Sequence, residues 1–552
     1  LSVICQVLYF NDICVQEKLK NLNFAKRSTV LPARAAYDIP TIARHGLEAP
    51  CYVKSFSMNT LTATQVDLKT HFTHFRENII GQHTEFDTPF GRKKIIYADW
   101  VASGRLYAPI EKKMRYDIAP FVGNTHTETT ITGTSMTIAY HEAREIIKRH
   151  VNATKHDILV ATGSGMTGVV NKFQRILGLK VPEKLNKYLE IPEAKRPIVF
   201  VTHMEHHSNQ TSWIETIADV VCIHPNAEGL VDMAHFEQLL EQYKDREIKI
   251  AAVTSCSNVT GVFAPYRQIA RRMHESGGYC FVDFACSAPY VDIDMHPADP
   301  LEKLDAIYFS PHKFLGGPGT PGVLIFCSSL YTNKVPDNPG GGTVKWTNPW
   351  GGHSFFDNIE AREDGGTPGF LQTIRAAFCI QLKEQMGVEN IMAREHELVK
   401  RVFTAFREMP SLHILADNIE DRLGAISFYI DDLHYNLGVK LLNDRYGIQV
   451  RGGCSCAGTY GHYLLNVTEG YSDSITCKID NGDNSEKPGW IRLSLHPTMT
   501  DEDLETIIDA VRGLEIHHKS WAKDYRYDCN TNEFVHLQAD EADKERVMGW
   551  FA

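Results

Sequence analysis

The sequence predicts an α/β protein: a large domain on a mostly parallel sheet, followed by a smaller α+β domain. Three observations predict it. Between about residues 95 and 330, short β-rich runs alternate with helical stretches, the pattern of a parallel sheet. Each of five such runs ends in polar or reactive residue types, at the edge where open α/β sheets bind ligands. Beyond a Gly/Pro-rich passage at 336–369, helical patterns and strands alternate over a shorter span.

Taken in order, "DILVAT" (157–162) runs into "GSGMTG" and an amphipathic helix. "PIVFVT" (197–202) runs into "HMEHHSN", and "IKIAAVTS" (248–255) into "CSNVTG". "GYCFVDFA" (278–285) runs into "CSAPYVD", and "LDAIYFS" (304–310) into "PHKFLGG". "PGVLIF" (321–326) closes the set as a further strand. In the smaller domain, 373–387 and 392–409 carry helical periodicity and "GAISFYI" (424–430) reads as a strand. Thr500 followed by three acidic residues predicts the N-terminus of a closing helix over 500–517. The polar stretch 466–488, with its Gly and Asp, reads as a surface loop, with a lid or an insertion as the other reading.

These runs divide the chain into an extension (1–57), poorly ordered or peripheral, a large domain (58–345), and a linker with the small C-terminal domain (346–552). The first part of the large domain is a candidate to pack with the small one. Hydrophobic content of 43% and charged content of 23% describe a soluble globular chain. A net charge of -11 argues against a nucleic-acid or anionic-membrane partner. No run approaches the roughly 18 apolar residues of a membrane span. The 13 cysteines are scattered and lie mostly in apolar strands, which is reduced intracellular usage and not a disulfide framework. The expected location is cytoplasmic, or organellar if residues 1–57 are a transit segment.

The strand ends describe a ligand. The loop at 163–167 offers backbone N–H groups and a hydroxyl at a helix start, a phosphate site in form, though such turns are also purely structural. His206 and His207 could stack on a flat ring, while no partner pair at zinc-like spacing supports a metal. Asp283, ending a buried run, needs a cation, either a protonated pyridine nitrogen or a structural salt bridge. Lys313, in a partly dry pocket, could form a Schiff base with an aldehyde. Together these features describe pyridoxal 5'-phosphate (PLP), an electron sink for carbanions.

At "YADWVASG" (97–104), "MEHHSN" (204–209), "SNVTG" (257–261), "FVDFA" (281–285), "SPHK" (310–313), "GGTPG" (365–369), "RGGCSCAG" (451–458) and "GWIRLSLHPTMT" (489–500), the chain resembles the class-V aminotransferases. These are fold-type I PLP enzymes, and the resemblance is closest to their cysteine desulfurase and selenocysteine lyase branch. It implies a mostly parallel seven-stranded sheet flanked by helices. Lys313 is then the lysine that holds the cofactor and moves the substrate proton, Asp283 the partner of the pyridine nitrogen, and His206 the stacking ring. Met166 through its N–H, Thr167, Ser310 and His312 hold the phosphate. Thr367 matches a threonine that reaches the phosphate of a partner subunit, which implies a homodimer. Asn258 lies near the ring's phenolic oxygen and the substrate carboxylate, and Cys286 stands where desulfurases carry a glutamine beside that oxygen. Arg492 matches the arginine that grips the α-carboxylate, a role suited to a planar guanidinium fork. His126 matches a histidine of the active-site mouth.

In the same branch, "GIQVRGGCSCAG" aligns Cys456 with the thiol that attacks the substrate sulfur, and Arg451 with the arginine before it. The residues before Cys456 depart from the family's histidine-rich pair and are Cys454-Ser455. Three readings of the two cysteines stay open: nucleophile, inert structural thiols, or half of a metal site. The leading function is cleavage of the C–S (or C–Se) bond of a cysteine-like amino acid, leaving alanine and a persulfide for a sulfur-acceptor protein. The alternatives are transamination, epimerisation or another PLP lyase step with Cys456 a bystander, or a non-catalytic sulfur-transfer scaffold.

Overall fold

The computed structural model describes residues 67–538 and 542–552; the extension predicted at 1–57 lies outside the described residues. The large sheet has seven strands: β1 (Asp157–Thr162), β2 (Ile198–Thr202), β3 (Asp219–Ile223), β4 (Lys249–Thr254), β5 (Tyr279–Asp283), β6 (Ala306–Phe309) and β7 (Gly322–Cys327). Their spatial order is β1-β7-β6-β5-β4-β2-β3, and only β7 runs against its neighbours. Strands β2, β4 and β6 are buried along their whole length, as expected when helices cover both faces of a parallel sheet. That is why these runs are almost unbroken apolar text. Strand β3, around Cys222, gives a weaker signal than its neighbours because its apolar run is short and only partly buried.

Register sets the site. Thr254, Asp283 and Tyr308 stand in one row across β4, β5 and β6, so the loops leaving these strands emerge side by side. Three helices matter here: α1 (Met166–Ile176) after β1, α2 (His207–Ile214) after β2, and α3 (Phe370–Met386), which follows the Gly/Pro-rich passage. Helix α4 (Val388–Arg407) then leads into a four-stranded antiparallel sheet of β8 (Leu412–Ile414), β9 (Ala425–Ile430), β10 (Arg451–Gly453) and β11 (Trp490–Ser494), in the order β8-β9-β11-β10. Ile96–Tyr97, ahead of the large sheet, pairs in parallel with Ile448–Gln449, and Asp99 bridges to Ser494.

Two regions differ from the sequence reading. The stretch 466–488 is not a plain loop: it contains helix α5 (Glu469–Asp480), with Ile475 as its buried side chain. Its polarity hid it, since a helix anchored by one apolar residue leaves no apolar stripe. The Gly/Pro-rich passage 336–369 carries a two-stranded hairpin, Val344–Thr347 with His353–Phe355, and a short helix, Ile359–Glu363. The closing helix α6 (Asp501–Trp521) starts at the expected cap: Thr500 accepts from the Asp503 N–H, and Asp503 accepts from the Thr500 N–H. Among the described residues, no helix is long and apolar enough to cross a membrane.

Candidate active site

The loops from the two sheets enclose a cavity of about 470 Å³, bounded by the ends of β1, β2, β4, β5 and β6 on one side and by β10 and β11 on the other. At its phosphate-like end, the Met166 N–H donates to Ser310 Oγ at 2.8 Å, and Thr167 Oγ1 lies 2.7 Å from Ser208 Oγ. A Cβ on Gly165 would stand 3.3 Å from Ser310 Oγ and 3.6 Å from His312 Nε2. Glycine there keeps open a cradle of backbone and hydroxyl donors at the start of α1, where the helix dipole favours an anion. Burial, and then the nearby Lys313 ammonium, lowers the His312 pKa to about 4, so this donor is neutral.

In the middle of the cavity stand Lys313, Asp283 and His206. Burial lowers the pKa of the Lys313 ammonium below its ordinary value. Burial pushes the Asp283 carboxyl up to about 6, although the Ala285 N–H donates to its Oδ1 at 2.8 Å and Lys313 is near. A carboxyl held high by desolvation is a site prepared for a further cation. His206 caps α2: its Nδ1 accepts from the Ser208 N–H at 3.1 Å, and burial takes its pKa down to about 3. It is therefore a neutral flat ring facing the cavity. Cys286 lies on the floor with its thiol donating to the Ser257 carbonyl at 3.6 Å, and the adjacent Cys256 thiol, Lys313 and Arg492 lower its pKa.

The small sheet supplies the charge. Arg451 and Arg492 are direct cross-strand partners, an arrangement that repels unless something neutralises it. Asp99 does so. Its Oδ1 takes Arg492 Nη2 at 2.8 Å and its Oδ2 takes Arg451 Nη2 at 3.1 Å. Arg492 Nη1 donates to the Asn258 carbonyl at 3.0 Å, while its Nε is buried without a partner, as is Asn258 Oδ1. Buried polar atoms are nearly always satisfied, so these two mark a place for a polar ligand.

Cys456 opens onto the same cavity and is exposed. It lies on a turn closed by the Ala457 N–H donating to the Cys454 carbonyl at 3.0 Å, with φ of +51° at Ser455 and +58° at Cys456. Two successive left-handed non-glycine residues cost roughly 1–3 kcal/mol each, and such strain persists only where the surroundings hold it.

Of the residues singled out in the sequence, Lys313, Asp283, His206, Met166, Thr167, Asn258, Ser310, His312, Cys286, Arg492, Arg451 and Cys456 line this one cavity. Thr367 and His126 do not. Thr367 borders a neighbouring space of about 170 Å³, and His126 Nε2 lies 3.7 Å from where a Cβ on Gly342 would stand. Sequence reasoning missed Asp99, although "YADWVASG" contains it: one carboxylate far from its partners in the chain gives no sign that it faces two arginines. For His207 it offered ring stacking, whereas its Nε2 accepts from the Gly458 N–H at 2.9 Å.

The family profile of the class-V aminotransferases matches residues 96–507. A probable cysteine desulfurase of Halalkalibacterium halodurans is 27% identical over 367 residues, covering 66% of this chain and 84% of that protein. A probable cysteine desulfurase of Staphylococcus aureus is 26% identical over 438 residues, covering 79% and 95%. Among solved structures, a cysteine desulfurase of Thermococcus onnurineus superposes with a TM-score of 0.63 at 21% identity, covering 80% of this chain and 98% of that one. One from Escherichia coli gives 0.59 at 22% identity, covering 76% and 94%. The family match spans both sheets.

Proposed function

The chain belongs to the class-V aminotransferase family, and from that premise we propose that it is a PLP-dependent cysteine desulfurase that leaves alanine and a persulfide on Cys456. The carrying observation is that an exposed thiol on a strained, anchored turn opens onto the cavity that holds Lys313, Asp283 and the unpartnered Nε of Arg492.

The residues fit the cofactor. The Gly165 cradle with the Met166 N–H, Ser310 and His312 suits a phosphate, His206 suits a ring face, and Asp283 suits a protonated ring nitrogen. When bound, PLP draws electrons from the substrate carbon attached to it and stabilises the charge that develops there. The chain's own groups do the rest. Arg492 binds the α-carboxylate through its free Nε, with Asp99 fixing the guanidinium plane. Lys313, its pKa lowered by burial, takes and returns a proton at Nζ. Cys456 Sγ attacks the substrate sulfur: an S–S bond forms, the Cβ–S bond breaks, and a proton goes to Cβ. L-Cysteine and the Cys456 thiol thus become alanine and the Cys456 persulfide, with atoms balanced.

In this reading an acceptor thiol then removes the persulfide sulfur. The placement of Thr367 and His126 outside the cavity supports the further reading that these residues serve a second copy in a homodimer.

The test is turnover of L-cysteine in the presence of a thiol reductant. Alanine and sulfide are expected from the wild type and from Cys454→Ala, and neither from Cys456→Ala or Lys313→Ala. Undiminished alanine formation by Cys456→Ala would reject the assignment and favour a PLP reaction in which the thiol is a bystander.

A further inference from the structure

The turn that carries Cys456 contains no glycine at either left-handed position, so its own sequence does not select its shape. Contacts from elsewhere hold it. Asn258 Nδ2 donates to the Ser455 carbonyl at 2.7 Å, and Trp490 Nε1 to Ser455 Oγ at 3.2 Å. Both secure the residue before the thiol. His207 secures the thiol's own residue and the one beyond: its backbone N–H donates to the Cys456 carbonyl at 2.7 Å, and its ring Nε2 accepts from the Gly458 N–H at 2.9 Å. Next to it on α2, Gln210 Oε1 accepts from Thr459 Oγ1 at 2.8 Å. The ring is seated closely, since a Cβ on Gly458 would stand 3.1 Å from His207 Nε2.

We propose that His207 is a positioning residue for the reaction, its Nε2 acting as the acceptor that holds the Cys456 turn in register with the cavity. The inference rests on the reading of Cys456 as the sulfur-accepting nucleophile. An acceptor at Nε2 places the ring proton on Nδ1, so His207 acts as a fixed acceptor and not as a proton shuttle at the thiol. Because His206 begins the same helix segment, one rigid element sets both the ring face of the cavity and the position of the thiol.

The acceptor role is separable from packing. A glutamine side-chain oxygen reaches the position of Nε2, whereas an asparagine oxygen stops near that of Nδ1. We expect His207→Asn to lower kcat for alanine formation by about tenfold or more, as misplacement of a reacting group does, with KM for L-cysteine changed less than about twofold. The rate at which iodoacetamide alkylates Cys456 in the holoenzyme, read by peptide mass, should change severalfold in the same variant. His207→Gln should restore both. Visible cofactor absorbance and thermal midpoint identify a folded, loaded enzyme; if His207→Asn fails these, His207→Leu, of similar volume and without an acceptor, takes its place. Wild-type kcat and alkylation in the acceptor-less variant, or a His207→Gln as impaired as that variant, would overturn the proposal. Cys456→Ala separates the two levels. If it is inactive while His207→Asn is normal, only this inference falls; if it is fully active, the desulfurase reading falls.

Discussion

At the scale of single residues, Asp283 shows what the burial of a carboxyl does to stability. Its pKa rises from near 4 in an unfolded chain to about 6 in the fold. Between those values the folded state binds more protons than the unfolded one, so stability falls as pH rises through that window and the loss is complete above it. The size is on the order of 3 kcal/mol. In the cofactor-free protein, Asp283→Asn should therefore be more stable than wild type at about pH 8, with the gain gone by about pH 4. Urea unfolding at the two pH values checks this, and equal stabilities at the higher pH would contradict it. Asp99 works the other way. It neutralises two arginines that face each other across β10 and β11, and Arg492 is almost wholly buried, with its side chain 3% exposed. Asp99→Ala should cost about 2–3 kcal/mol, less than a fully buried pair because Arg451 is half-exposed. It should also raise KM for L-cysteine, since the guanidinium plane is no longer fixed. Wild-type values for both quantities would remove Asp99 from the site. Lys313, Asp283 and Arg492 were legible in the sequence because strand ends and spaced motifs mark them. The pairing of Asp99 with two arginines, and of His207 with the Gly458 N–H, was not, because each partner is distant in the chain.

At the scale of elements, the central strands β2, β4 and β6 of the large sheet were legible for a physical reason: buried along their whole length, they are almost purely apolar. Helix α5 was illegible for the converse reason, with Ile475 as its one buried side chain. Close approaches between elements are equally invisible in sequence. Gly322, the first residue of β7, lies against the turn that ends in the phosphate-like cradle, and a Cβ there would stand 2.2 Å from the Gly165 carbonyl oxygen. Backbone cannot yield to that contact without moving the cradle. Gly322→Ala should thus weaken cofactor binding about tenfold or more, since overpacking costs typically 1–3 kcal/mol. Titration of the cofactor-free protein with PLP, followed by absorbance, reads this directly. Unchanged affinity would mean that Gly165 is not part of the cofactor site.

At the scale of the whole molecule, the cavity exists because two sheets of different construction meet. The large sheet supplies Lys313, Asp283 and His206, while the small one supplies Arg451, Arg492 and, just after β10, Cys456. Arg422 fastens this seam. It is fully buried, with Nη1 donating to the Thr260 carbonyl at 3.0 Å on the large-sheet side and to the Leu415 carbonyl at 3.2 Å on the other. Its Nε and Nη2 hold the Ile419 and Ala416 carbonyls, and the next residue, Leu423, donates its N–H to the Gly261 carbonyl at 2.9 Å. Burial lowers its pKa to about 10, which still leaves it charged at neutral pH. Truncation would strand the buried Thr260 and Leu415 carbonyls at once, and the 415–423 loop of the small domain would lose the donor that ties it to the large sheet. Arg422→Ala should therefore cost about 3 kcal/mol or more, the range for removing one side of a buried polar network. Because the same guanidinium touches both sides, far-UV circular dichroism and tryptophan fluorescence should shift their urea midpoints together. The Asn258 carbonyl that orients Arg492 lies two residues from Thr260, so KM for L-cysteine should rise in parallel with the stability loss. A midpoint shift seen by one probe alone, or a stability loss with KM untouched, would show that the two sheets are joined elsewhere and that Arg422 only packs the small domain.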